Sequence, residues 1–92
     1  MEEATVVWTE YMKYPLDLRG YDAATVEHIL RHSSVRYVDT VTGRSVAIGR
    51  HERLLVMIPY EWKGGGLTPV TIHATSRQQI NSRFKSGRLK NE

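Results

Sequence analysis

The sequence predicts an α+β domain: two N-terminal helices, an antiparallel sheet of three to four strands and a C-terminal helix, in one domain over residues 1–92. Three observations carry this. Val26, Ile29 and Leu30 recur at helical three-and-four spacing. From residue 35 onward the pattern changes to β-branched alternation punctuated by turn residues. Past residue 75 the helical spacing returns with Ile80 and Phe84. A chain of 92 residues, 40% hydrophobic and 25% charged, holds one modest core of the ordinary globular kind.

Residues 4–8 form either a short strand or a simple anchor. Thr9 can cap a first helix over 10–19, with Tyr11, Tyr14 and Leu18 at helical spacing; Pro15 removes a backbone donor and shortens or breaks it, and Gly20 stops it. Asp22 caps the second helix, residues 23–32, in which Glu27 and Arg31 suit the helix dipole and can pair one turn apart. Residues 35–40 and 44–50 are strands joined by Thr42-Gly43, with Val46 and Ile48 on one face. Residues 54–60 are apolar on both faces, which places this strand mid-sheet with both faces covered; Pro59 loosens its pairing near that end. The run Lys63-Gly64-Gly65-Gly66 is a hairpin loop, because no Gly-Lys-Ser/Thr and no helix follow it. Residues 70–74 are the last strand, Thr75 caps the closing helix with Gln78 three residues on, and Gly87 ends it.

Charge is more informative in its distribution than in its net value of +3. Acids concentrate in residues 1–30, whereas residues 77–90 carry Arg77, Arg83, Lys85, Arg88 and Lys90 without an acid. A basic end of one sign attracts a polyanion or an acidic partner chain; otherwise it is a solvated helix face with a frayed tail. The absence of cysteine removes thiolate chemistry and favours a reducing cytoplasm. The acidic start is not that of a signal peptide, and the apolar run 54–58 is far too short for a membrane span. His28 and His32 stand one turn apart without a third local ligand, so no metal or other cofactor is expected.

The strand-to-helix corner at residues 70–88 gathers the chemistry. Arg77 falls in the first turn of a helix, where free N–H groups and the dipole already favour an anion, and its planar fork suits phosphate; the alternative is an exposed arginine paired with a carboxylate. His73 titrates near neutrality, and alternation puts Thr71, His73 and Thr75 on one face and Val70, Ile72 and Ala74 on the other. Arg50, His51 and Glu61 end or follow neighbouring strands and reach the same region if those ends converge. Arg83, Lys85 and Arg88 suit docking of a nucleic-acid backbone, and Tyr60 and Trp62 suit stacking on bases, or are core and rim residues.

The pattern resembles the BrnT-type toxins, grouped with the RelE-like ribonuclease toxins, from about Trp8 to Arg88. The likeness lies in the polar break Arg19-Gly20-Tyr21, in Gly49-Arg50 before a turn, in the strand Leu54-Leu55-Val56-Met57-Ile58, and above all in Thr71-Ile72-His73-Ala74-Thr75-Ser76-Arg77. The resemblance implies a metal-independent endoribonuclease in which the ribose 2′-hydroxyl attacks the adjacent phosphate. Its site residues would be His73, Arg77, Arg50 and Glu61, with Arg83, Lys85, Arg88 and Tyr60 on the RNA. It also implies an antitoxin protein as partner, with no DNA or membrane bound by this chain alone. The final helix departs from that pattern, carrying Asn81, Arg83 and Phe84 with neither acid nor tyrosine. That departure motivates a second reading, a non-catalytic module of the same fold that binds RNA or protein. A third is a homodimer in which a second subunit covers strand 54–60.

Overall fold

Alternation along residues 35–60 does build the centre of a sheet, but the sheet extends well beyond it. The computed structural model describes residues 5–10, 12, 16 and 19–92. Its elements are β1 (Thr5–Val6), α1 (Ala23–His32), β2 (Arg36–Asp39), β3 (Ser45–His51), β4 (Leu54–Lys63), β5 (Gly66–Pro69), β6 (His73–Thr75), α2 (Arg77–Lys85) and β7 (Leu89–Asn91). The seven strands run in the order β1-β5-β4-β3-β2-β7, with β6 also paired to β4.

This overturns the expected architecture of two N-terminal helices, a three- to four-stranded antiparallel sheet and a C-terminal helix. The sheet is mixed, because β1 runs parallel to β5. A strand precedes the helices, and α2 does not close the chain: β7 follows it and pairs antiparallel with β2. The helix expected over residues 10–19 falls largely outside the described residues; Glu10, Met12 and Leu16 are helical. The expected strand 70–74 is also revised. β5 covers the C-terminal half of β4 and β6 its N-terminal half, on the same edge.

Each face of the sheet carries its own core. On one side Val26, Ile29 and Leu30 of α1 join Met12 and Leu16 over Ala47, Val56, Ile58, Tyr60 and Ile72. On the other, Ile80 of α2 packs with Val46, Ile48, Met57 and Leu89, and Phe84 meets the Tyr37 ring edge-on at 4.6 Å. The two-sided apolar pattern of residues 54–60 is thereby explained. The chain's own residues cover β4 on both faces, so that motive for a second subunit falls away.

Local chemistry sets the helix starts. The Asp22 carboxylate accepts from the Thr25 N–H at 3.0 Å and from the Thr25 hydroxyl at 2.7 Å. The cap of α2 is Ser76, not Thr75: its Oγ accepts the Gln79 N–H at 3.1 Å, so the capping pair lies one residue later than expected. Gly49 lets α1 approach β3, since a Cβ there would stand 2.6 Å from Ile29 Cγ2.

Candidate functional site

Between Tyr60–Pro69 and Met57–His73, the last pairs of two neighbouring ladders, β4 contributes Ile58 and Pro59, whereas the returning chain contributes Val70, Thr71 and Ile72. One residue is therefore extra, and it acts as a β-bulge. Pro59 has no N–H to offer here; its carbonyl accepts the Val70 N–H at 2.8 Å. The bulge decides which way the chemistry faces. Strict alternation from Thr68, which pairs with Glu61, would turn His73 toward α1. With the extra residue, Ile72 enters the core beneath α1 and His73 emerges on the α2 side, paired with Met57.

On that side α2 leaves part of the sheet uncovered. The resulting cleft, about 420 Å³, has His73, Arg83, Arg88, Arg44 and Gln79 among its polar walls and Met57 and Pro59 on its floor. Arg19 comes beside the cleft without lining it, donating from Nη1 to the Ile72 carbonyl, 53 residues away in sequence, at 2.9 Å. It thus satisfies a carbonyl in the segment where the bulge interrupts the ladder.

The cations in and beside the cleft fall into two groups. Arg88 Nε donates to Asp39 Oδ1 at 2.8 Å, and Arg44 Nε donates to Glu61 Oε1 at 2.8 Å. Asp39 is nearly buried, also accepts the Val41 and Thr42 N–H groups, and is held below the usual carboxylate range chiefly by its bond to Arg88. Arg19, Arg83 and His73 form the second group, with no carboxylate bonded to any of them among the described residues. Arg83 Nη1 makes only a long contact, 3.6 Å, to Met57 Sδ. His73 keeps solvent access, yet partial burial first, then the charges of Arg19 and Arg83, push its pKa below the ordinary imidazole value. The group therefore consists of an imidazole whose neutral form is favoured, Arg83 in the same cleft and the charge of Arg19 beside it, an arrangement that admits an anion.

Of the residues read from sequence, His73, Arg83 and Arg88 meet in this cleft. Glu61 stands behind it, bonded to Arg44 and to Lys63 Nζ at 3.2 Å, with its pKa lowered first by Arg44 and then by Lys63. Arg77 is exposed in the first turn of α2 and is not among the residues lining the cleft. Arg50 borders a shallow hollow with His28 and His32 instead. Lys85 lies on the outer face of α2 beside Gln78, Asn81 and Ser82. Tyr60 is 3% exposed under α1, and its hydroxyl accepts from Arg36 Nη1 at 3.0 Å, so it offers no surface for stacking. Trp62 is exposed near the hairpin end of β4.

His51 has a structural task. It is buried, its Nε2 accepts the Asp22 N–H at 2.7 Å, and Tyr21 meets its ring edge-on, so it pins the start of α1. The His28 and His32 rings lie 4.8 Å apart, but among the described residues no three His, Cys, Asp or Glu side chains gather where they could hold a metal. Arg19 was missed as a site residue. Its only sequence signal is a lone arginine ahead of a Gly-Tyr break, and its role comes from a contact across the whole domain. Among the described residues no helix is long and apolar enough to cross a membrane. Set against known proteins, the chain matches no family model, no curated sequence and no solved structure.

Proposed function

We propose that the chain is a metal-independent endoribonuclease of the toxin kind, acting in the cytoplasm and held in check by an antitoxin protein, with the cleft between β6 and α2 as its active site. The observation that carries this reading is the meeting of His73 and Arg83 on one uncovered patch of sheet, with Arg19 bonded to the adjoining Ile72 carbonyl. A phosphodiester seated there would lie against the Arg83 guanidinium with the charge of Arg19 close by, and both would stabilise the added negative charge of a phosphorane. Neutral His73 would accept the proton of the attacking 2′-hydroxyl. The imidazolium so formed, stabilised by the nearby phosphorane charge, would return a proton to the departing 5′-oxygen. The cleft demands no metal for this sequence of steps.

A second reading, an RNA- or protein-binding module without catalysis, is favoured by one observation. Among the described residues lining the cleft, His73 is the sole imidazole. The two carboxylates nearby, Asp39 and Glu61, are engaged by arginines and held below their ordinary range.

The test is incubation of end-labelled RNA with purified protein in excess EDTA, alongside His73→Gln and Arg83→Gln. Cleavage leaving 2′,3′-cyclic phosphate ends, lost in His73→Gln and strongly reduced in Arg83→Gln, is the expected result. Cleavage undiminished in both variants would remove the cleft from the reaction. RNA bound in the cleft but never cut, with or without ribosomes, would establish the binding-module reading instead.

A further inference from the structure

A second hollow, of about 430 Å³, adjoins the cleft at the C-terminal end of α2. Arg83 and Arg88 line both cavities and so form the ridge between them. The remaining walls of the second hollow are Thr40, Val41, Ser86 and Gly87. Asp39 engages Arg88 only through Nε, at 2.8 Å, and no hydrogen bond uses its terminal nitrogens among the described residues. An arginine tethered in this way keeps its charge fixed in place while its fork stays available. The helix terminus alone would repel an anion here, since its last carbonyls carry the negative end of the dipole. Arg83 and Arg88 oppose that, and no acid lies among residues 77–90.

We propose that the ligand of the cleft is a single RNA strand at least a trinucleotide long, whose second phosphate crosses the Arg83–Arg88 ridge into the hollow at Ser86–Gly87. This rests on the RNA reading of the cleft and adds to it a second phosphate site, a direction of travel and a minimum length. A single strand fits because it can splay its bases away from the protein while its backbone follows the ridge. Arg88 is then a binding residue that touches the phosphate next to the scissile one. The Ser86 hydroxyl and the Gly87 backbone flank that phosphate.

The experiment is titration of the full chain with 2′-O-methyl oligouridylates, dinucleotide to hexanucleotide, followed by amide chemical shifts. The 2′-O-methyl group prevents cleavage. A dinucleotide has one phosphate and reaches the cleft alone; a trinucleotide has two. Affinity is expected to rise about tenfold at the trinucleotide, the increment of one charge-assisted contact, and little thereafter. The Ser86 and Gly87 amides should shift only from the trinucleotide onward. In Ser86→Glu, which sets a carboxylate in the hollow without touching Asp39, the tri- to dinucleotide affinity ratio should fall to about one, and Arg88→Gln should reduce it in the same sense. Thermal melts of both variants show whether they are folded. Binding of every length without a step, or a step unchanged in Ser86→Glu, would overturn the second site while leaving the cleft reading standing. Absence of shifts around His73 with any length would overturn both.

Discussion

Asp39 neutralises one of the cations bordering the cleft, so Asp39→Asn should move stability and RNA affinity in opposite directions. Among the described residues, the three bonds to this side chain converge on Oδ1: Arg88 Nε at 2.8 Å, the Val41 N–H at 2.9 Å and the Thr42 N–H at 3.2 Å. Asparagine offers the same oxygen, so the turn keeps its geometry and only the charge is lost. The guanidinium keeps the Arg88 bond charge-assisted, but the Val41 and Thr42 N–H bonds turn from charge-assisted to neutral and the ion-pair attraction is lost, together about 1–2 kcal/mol. Asp39's side chain is 10% exposed but Arg88's is 41%, and solvent screening of the arginine sets the expected loss near the lower end, about 1 kcal/mol. In a domain of this size that lowers Tm by about 4–8 °C. The folded Asp39 has a lowered pKa, so its contribution is present above the unfolded carboxylate value and is lost as pH falls through the folded value. Urea midpoints should therefore separate the two proteins at neutral pH and converge in acid. RNA binding should tighten, more at low salt than at high, because the charge of Arg88 is no longer shared with Asp39. A stability gap that ignores pH, or weaker RNA binding in the variant, would refute the assignment of Arg88 as a cleft cation restrained by Asp39.

Three further outcomes follow from the same geometry. Gly49→Ala should destabilise by about 1–3 kcal/mol, because its methyl would press on Ile29; combined with Ile29→Ala the loss should fall well short of the sum, and strict additivity in denaturation would show that the contact is not limiting. Because the folded state depresses the His73 pKa, the unfolded chain binds that proton first; wild-type stability should decline as pH falls through the ordinary imidazole range, His73→Gln should lack that component, and Arg19→Gln should raise the His73 titration seen by NMR. Arg77→Ala should retain RNA cleavage while Arg83→Gln loses it; a larger defect in the Arg77 variant would shift the site to the helix start.

The central strands, α1 and its Asp22 cap were legible because each depends on neighbours within a few residues. β3 and β4 follow from alternation, and α1 from the spacing of Val26, Ile29 and Leu30. β7 was not legible. Leu89, Lys90 and Asn91 carry too little pattern to distinguish a strand from a basic tail, and their pairing with Tyr37, Val38 and Asp39 closes over some fifty residues of chain. The split between β5 and β6 was hidden for another reason: Pro59 signals weak pairing, but nothing local says which strand takes the extra residue. The facing of His73 relative to Ile72 was legible, since alternation resumes after the bulge, whereas the identity of what it faces was not. Tyr60 and Arg50 show the limit of reading sites by residue type. Both look suited to RNA, yet position in the sheet places one in the core beneath α1 and the other beside His28 and His32.

The bulge at residues 70–72 has a consequence for how this chain can vary. In most of the cleft the identity of a side chain is what counts; here the number of residues counts more. Gain of one residue in this segment, with the single-residue bulge kept, would carry His73 into the apolar layer and bring Ile72 out opposite Met57, whereas loss of one would only straighten the ladder and leave His73 where it is. A few positions earlier, the Gly64–Gly65 turn projects from the end of the hairpin, and an insertion there would leave the pairing of β4 with β6 in register. Chains descended from this one should therefore differ in length at the hairpin tip and gain no residue between Pro69 and His73.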